Sequence, residues 1–343
     1  MAKIQNPFVT GGYVSSEYFC DREKETEQLL RYIRNGNNIT LISTRRMGKS
    51  GLIHHCFNSV EIMKNYTTFF VDIYATKSLN DLVFQLSKNI LNSSLGIGDI
   101  RKPEVSLDEI FQFLNSSTKP CIVAIDEFQQ ITKYPETNTE ALLRTYIQQS
   151  PQTRFIFSGS QQHIMGEMFN SAARPFFAST STMYLEAIEK QKYIEFAQKH
   201  FKEYNREITA GTVDKIYDLF EGVTWYIQKT LNTLFGETAE GSCCDVEMVN
   251  DIIRFIIDTN KYTYSENMFR LPDKQGKLLI AFAKDGKVLS PTSSDFVKEH
   301  NLTSASSVQA ALKGLIEKEF VTRNESGYVV YDKFFEIWLR EKY

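Results

Sequence analysis

Eight consecutive residues, Ser43-Thr44-Arg45-Arg46-Met47-Gly48-Lys49-Ser50, follow a short β-rich run, Asn38–Ile42, and open a helical pattern from Lys49 to Ser59. Seven of these eight positions agree with G-x-x-x-x-G-K-[ST], a loop that cradles phosphate. The chemistry needs these residue types. Backbone N–H groups from Arg45 to Gly51, with the positive end of the helix dipole, meet anionic oxygens. Gly48 lets the backbone come close, Lys49 bridges a β- and a γ-phosphate, and Ser50 Oγ is a ligand for Mg²⁺. The departure is Ser43, where the pattern has Gly. That position only begins the turn, so a small polar residue there costs little.

A second constellation lies 76 residues beyond Ser50. Ile122-Val123-Ala124-Ile125 is an apolar run that ends in two carboxylates, Asp126 and Glu127. With a phosphate loop in the same chain, Asp126 is expected to hold the Mg²⁺ site and Glu127 to orient and polarise an attacking water. A third polar tip, Ser158-Gly159-Ser160-Gln161, ends another β-rich run. Ligands of open α/β sheets bind at the carboxyl ends of strands. Ser158 or Ser160 can therefore hydrogen-bond the water or phosphate, or else cap the helix that starts near Gln161. ATP and Mg²⁺ are the expected ligands.

These groups need a frame. Asn38–Ile42, Thr67–Ile73, Cys121–Ile125 and Arg154–Phe157 read as strands, the third apolar throughout and so buried on both faces. Between the second and third lies an amphipathic helix from about Leu79 to Leu91, with Leu82, Val83, Leu86 and Ile90 on one face. Strands separated by helices predict an α/β domain on a parallel sheet over residues 1–185. Beyond it the pattern is helical only, with Glu189–Phe201, Thr212–Phe220, Val223–Phe235 and Val246–Tyr262 forming a helical lid over 186–264. The chain is expected to loosen near Thr263–Pro272. Asp273–Lys284, Ser293–His300 and Ser304–Lys318 then read as three helices, followed by a hairpin, Glu319–Arg323 and Tyr328–Tyr331, turning at Asn324–Gly327. That is the layout of a winged helix, over 265–343.

Composition excludes several function classes. The 343 residues carry 42% hydrophobic and 24% charged side chains, enough apolar material for a core and too much for a disordered chain. Net charge is −3, so no global positive field draws the chain to nucleic acid or anionic membrane. The five cysteines, Cys20, Cys56, Cys121, Cys243 and Cys244, show no C-x-x-C spacing. Neither a disulfide framework nor a zinc cluster is expected, and a cytoplasmic setting fits best. The N-terminal residues lack the apolar core of a signal peptide, and no apolar run is long enough to span a bilayer. His54-His55 point about 100° apart on a helix and read as packing residues rather than metal ligands. Trp225-Tyr226 read as core rather than as a stacking platform.

The loop with Arg45-Arg46-Met47 before Gly48-Lys49-Ser50 resembles that of archaeal and bacterial AAA-type ATPases. These are placed among the signal-transducing ATPases with numerous domains and are related to origin-recognition initiators. Further stretches match. Tyr18-Phe19-Cys20-Asp21-Arg22-Glu23-Lys24-Glu25, then Leu29-Leu30, resembles the opening box that flanks adenine, which implicates Phe19 and Arg22. Arg174-Pro175-Phe176-Phe177, before the strand Met183–Leu185, resembles the segment after the fourth strand, and Gly222–Gln228 resembles a helix start in the lid. The chain departs from the family at Asp21, where Gly precedes the box's Arg, and at Thr224, where the family has Pro. It also has Ala178-Ser179 where relatives carry Gly-Arg. The resemblance implies a P-loop ATPase with Glu127, Lys49, Ser160 and Arg174 as its catalytic set, Arg174 standing in for the phosphate-sensing arginine.

The expected function is an ATP-hydrolysing switch that couples nucleotide state, ATP or ADP, to the positions of the lid and winged helix and so acts on a protein partner. An ATP-regulated DNA-binding factor is the alternative. The third winged-helix segment takes the place of a recognition helix but holds only Lys313 and Lys318 as cations, and Phe269–Tyr343 has 12 basic and 10 acidic residues. That balance is thin for neutralising phosphates. A phosphotransferase is the weakest reading, because adjacent Asp126 and Glu127 suit water activation better than acceptor positioning.

Overall fold

The computed structural model describes residues 4–95, 105–324 and 327–343. The chain divides into two compact units, one comprising Val9–Tyr193 with Val223–Trp225, the other Met1–Phe8, Ile194–Gly222 and Tyr226–Tyr343. In the first, α1 (Glu23–Arg34) leads to β1 (Ile39–Ile42), α2 (Lys49–Phe57) and α3 (Val60–Asn65). Then come β2 (Thr67–Asp72), α4 (Leu79–Leu95), α5 (Leu107–Ser116), β3 (Cys121–Asp126), α6 (Thr139–Gln148), β4 (Thr153–Gly159), α7 (Gln162–Asn170) and β5 (Ser181–Tyr184). The five strands form one parallel sheet in the order β2-β3-β4-β1-β5. The parallel α/β frame expected from the alternation is therefore present, with β1 between β4 and β5.

Period-two alternation splits the sheet's side chains between two cores. Phe69, Val71, Val123, Ile125, Phe155 and Phe157 pack on one face, with Leu82, Leu86 and Ile90 of α4 among them. Ile39, Leu41, Ile122, Ala124 and Ile156 pack on the other, with Leu52, Ile53 and Cys56 of α2. Strand β3 is buried at every position, which is what its unbroken apolar run required. The abundant Phe residues have a local purpose: Phe128, Phe157, Phe169 and Phe176 form an aromatic cluster, with Phe128 and Phe157 centroids 4.5 Å apart. Phe128 follows Glu127 directly, so this cluster anchors the end of β3.

The second unit holds most of α8 (Lys190–Glu203), then β6 (Glu207–Ile208), α9 (Ala210–Leu219), the body of α10 (Thr224–Glu237), β7 (Cys243–Cys244) and α11 (Met248–Arg270). It continues with α12 (Asp273–Asp285), α13 (Ser294–Glu299), α14 (Ala305–Glu317), β8 (Val321–Asn324), β9 (Gly327–Val330) and α15 (Lys333–Lys342). Three expectations need correction. The region after 185 is not purely helical, because β6 and β7 pair as a short parallel ladder. No loosening occurs near Thr263: α11 runs on to Arg270, its buried Tyr264 packing against Phe335 and Trp338. Helix α15 was not expected at all. The antiparallel hairpin β8–β9 is present, although residues 325–326 of its expected turn lie outside the described residues.

Helix α15 is fastened by a charge that is almost entirely buried. Glu336 Oε1 accepts from Arg340 at 2.7 Å and Oε2 from Lys333 Nζ at 3.0 Å, while Arg340 Nε also donates to Ala283 O of α12. The Glu336 side chain is 5% exposed. Removing Glu336 leaves Lys333 and half-exposed Arg340 without their shared acceptor, a loss of about 1–3 kcal/mol. Glu336→Ala should therefore lower the urea midpoint of unfolding measurably, whereas Lys342→Ala, an exposed change on the same helix, should move it much less.

No helix among the described residues is long and apolar enough to cross a membrane. All five cysteines are free, and four are buried. Burial pushes the thiol of Cys56 up to about 12 and that of Cys244 to about 11, so both are inert at neutral pH.

Candidate active site

The loop from Ser43 to Gly48 joins the carboxyl end of β1 to the first turn of α2. Gly48 caps that helix with φ 91°, and Arg46 also lies in the left-handed region at φ 67°. Positive φ at these two positions turns the loop twice within three residues, a backbone pattern whose N–H groups can converge on an anion. Ser43, by contrast, has no positive φ, which is why the missing Gly does no harm. It is fully buried, its N–H donates to Gly159 O at 3.4 Å, and its hydroxyl donates to Thr44 O at 2.8 Å.

Lys49 Nζ sits 3.2 Å from Ser43 Oγ and 3.4 Å from Thr44 O. It is only 6% exposed. Burial draws its ammonium below the ordinary lysine range, while the carboxylates of Glu127 and Asp126 push the other way. Ser50 Oγ donates to Asp126 Oδ2 at 2.6 Å, and Ser158 Oγ donates to Asp126 Oδ1 at 2.7 Å. The loop and the end of β3 thus meet through direct side-chain contact.

Beyond Asp126 the chain turns sharply. Glu127 has φ 57° and ψ 41°, and a 3₁₀ turn over Phe128–Lys133 follows. Ser160 Oγ donates to Glu127 Oε2 at 2.6 Å, and Gln129 Nε2 donates to the same oxygen. Asp72, at the end of β2, pairs in register with Asp126. Burial raises its carboxyl above the usual range, and Asp126 and Glu127 add to that rise. Three carboxylates and Lys49 therefore meet at the carboxyl edge of β2 and β3.

Ser50 Oγ and the Asp126 carboxylate are adjacent hard oxygens, the donor type that Mg²⁺ takes from a protein that leaves its remaining positions to water and phosphate. This pair fits the ion. The twice-turned loop, with buried Lys49 at the helix start, fits a polyphosphate.

Around the loop, the opening box is folded against it. Arg22 is buried, donating to Met47 O at 3.2 Å and to Glu25 at 2.6 Å. Asp21 and Arg22 both have positive φ, 52° and 73°. Asp tolerates that region better than most residues, which accounts for Asp21 where relatives carry Gly. Phe19 lies over Gly51, 3.2 Å from where a Cβ would be, and stacks on His55 at 4.6 Å. His55 Nδ1 in turn meets Tyr13 OH at 3.0 Å, and His54 packs on Phe70, so both histidines are ring contacts. Thr224 Oγ1 donates to Met47 O at 3.3 Å and Trp225 N to Arg46 O at 3.0 Å. A proline in place of Thr224 would lack that hydroxyl. Arg46 stacks over Trp225 at 4.4 Å and Arg45 over Tyr74 at 4.8 Å. Trp225 is thus a platform for a loop arginine, while Tyr226 is core.

The structure brings Lys49, Ser50, Asp126, Glu127, Ser158 and Ser160 together and sets Phe19, Arg22, Arg45, Arg46, Met47, Gly48 and Gly51 around them. Both serines at the end of β4 bond carboxylates, and α7 has no side-chain cap at Gln161. Arg174 points elsewhere: its guanidinium pairs with both oxygens of Glu140 and, at 3.1 Å, with Glu167. Sequence reasoning missed Gln129, although its place two residues after Glu127 was visible.

A family model described as "ATPase domain predominantly from Archaea" matches residues 19–230, and one described as "Probable winged helix domain" matches residues 262–341. Among solved structures, the Walker-type ATPase PABY2304 of Pyrococcus abyssi is similar, with 19% identity, TM-score 0.71, and coverage of 97% of this chain and 99% of that one. The Aeropyrum pernix ORC1 protein, solved in complex with DNA, has 14% identity and TM-score 0.56 over 94% of this chain and 93% of its own. The ORC2 protein of the same organism, solved as ADPNP–ADP complexes, has 13% identity and TM-score 0.56 over 99% and 98%. At these identities the likeness is one of fold. A search of curated protein sequences gave no match.

Proposed function

The chain belongs to the family of ATPase domains found predominantly in Archaea, and from that premise we propose that it is an ATP-hydrolysing switch of the signal-transducing branch, acting in the cytoplasm on a protein partner. One observation carries the reading: Ser50, next to the buried Lys49, is bonded to Asp126, with Glu127 beside it. The loop backbone and Lys49 bind the β- and γ-phosphates, and Ser50 and Asp126 hold Mg²⁺, which neutralises phosphate charge when bound. Glu127 accepts a proton from the attacking water, and Ser160 holds the carboxylate that does so. Phe19 and Arg22 bind on the base side.

The nucleotide state reaches the rest of the chain through α10. Its first residues, Thr224 and Trp225, donate to carbonyls of Met47 and Arg46, so a loop that tightens on a γ-phosphate is felt at the first turn of that helix. The division into 1–185, 186–264 and 265–343 assigns that helix to the lid, whose position and that of the winged helix change with the nucleotide. Isothermal titration with ATP and ADP, with and without Mg²⁺, tests the site. Triphosphate affinity independent of both Mg²⁺ and Ser50 would refute it. Arg174, held by Glu140 and Glu167, senses phosphate only after exchanging those partners, and Glu140→Gln should then raise turnover if the arginine is needed.

A DNA-binding role has two observations behind it, the winged-helix match and a structural relative solved with DNA. The charge balance argues against tight binding. A random duplex should bind near physiological salt no more tightly than about 10⁻⁶ M, the strong end of non-specific association. A sub-micromolar value by fluorescence anisotropy would reverse the order of the two readings, and exposed Lys313 with Lys318 would be the first residues to replace.

A further inference from the structure

We propose that Gln129 is a positioning residue for hydrolysis, fixing the Glu127 carboxylate by holding its Oε2 jointly with Ser160. This rests on Glu127 being the group that activates water. Gln129 is 2% exposed, and its amide nitrogen reaches two partners, Glu127 Oε2 and, at 3.5 Å, Ser160 Oγ. Ser160 Oγ donates to that same oxygen at 2.6 Å. Two donors on one carboxylate oxygen fix both its torsion and its plane. Oε1 then has no donor among the described residues and is the oxygen left to accept from water.

Three features of the local fold make this arrangement costly for a residue with no role. First, Gln129 Oε1 is buried without a hydrogen-bond partner, a loss of about 1–3 kcal/mol that an apolar side chain of the same shape would avoid. Turning the amide over would not help, because the carbonyl oxygen would then face the carboxylate. Second, the amide lies in space that only a glycine leaves open: a Cβ on Gly159 would come within 2.5 Å of Gln129 Oε1 and 2.4 Å of Met165. Third, Glu127 and Gln129 are two residues apart and converge only because Glu127 takes the left-handed turn at φ 57° and Phe128 is locked in its aromatic cluster. An unsatisfied buried acceptor, a glycine kept for space and a strained turn all serve one Nε2–Oε2 contact. Such groups are usually retained for function.

The experiment uses Gln129→Met, which keeps length and apolar volume, removes the donor and abolishes the stranded acceptor. ATP affinity, single-turnover hydrolysis of Mg·ATP and thermal midpoint are measured for Q129M, E127Q and the double variant. We expect Q129M to hydrolyse about 10- to 100-fold more slowly at unchanged ATP affinity, with a thermal midpoint equal to or above that of the natural chain. In the E127Q background, Q129M should cause no further loss, since Gln129 acts through Glu127. Gln129→Glu, which places a like charge against Glu127, should be slower than Q129M. Hydrolysis at the natural rate in Q129M, or an equal loss in both backgrounds, would overturn the proposal. So would a rate loss accompanied by a fall in thermal midpoint and ATP affinity, which would make Gln129 a structural residue. If E127Q itself turned over at the natural rate, the failure would lie in the assignment of Glu127 rather than in Gln129.

Discussion

Glu127→Gln should slow single-turnover hydrolysis about 10²–10⁴-fold, the usual worth of a positioned general base. That is roughly 3–5 kcal/mol of barrier at 1.36 kcal/mol per decade. The structure explains why the effect should be clean. The new side chain can present its carbonyl oxygen to Ser160 and Gln129, the two donors that Glu127 Oε2 now accepts from, so neither is stranded. The rigid end of β3 and the anchored Phe128 keep the side chain in place. What is lost is the negative charge and the ability to take a proton from water. Affinity should hold or improve slightly, because one fewer anion would face the triphosphate and, on the proposed reading, the phosphate contacts would come from the loop, Lys49 and Ser50. The variant should therefore accumulate with ATP bound. ATP affinity and single-turnover rate on one preparation decide the matter: a natural rate would remove Glu127 from the mechanism, and lost affinity would make it a binding residue.

Lys49→Ala should weaken ATP binding by about 2–5 kcal/mol, the range for truncating one member of a buried charge pair. At 1.4 kcal/mol per decade this is roughly one and a half to three and a half decades of affinity. Because Lys49 is buried, its charge would meet a bound triphosphate with little solvent between. The same burial refines what happens to the fold. Removing the side chain relieves the desolvation that now depresses its ammonium, yet leaves Asp126 and Glu127 without the cation they face. These effects oppose each other, so the thermal midpoint without nucleotide should move little. Lys49→Arg should not restore binding, because a planar guanidinium cannot take the place of a compact ammonium in a closed loop. Unchanged ATP affinity by calorimetry in K49A would sink the site assignment.

The parts legible from residue order alone are those whose information is local. The apolar run of β3 needed burial on both faces, and its end had to carry Asp126 and Glu127 to the sheet's edge. The Gly48-Lys49-Ser50 turn between strand and helix needed no distant partner to be recognised. The hairpin near the end of the chain was legible for the same reason. The misses have one physical cause. Helix α11 runs through Thr263–Arg270 because Tyr264 packs on rings of α15, more than 70 residues away, and no local signal competes with that burial. Gln129 carries no local signal of its own: a left-handed Glu127 and a bare Gly159 bring its amide onto the carboxylate. Arg174 could be placed near the site by its neighbours in sequence, but its partners are Glu140 and Glu167, on helices α6 and α7. Spacing along the chain fixes which side chains share a strand end or a helix turn. Which of them touch is set by packing between segments far apart in sequence, which no local pattern encodes.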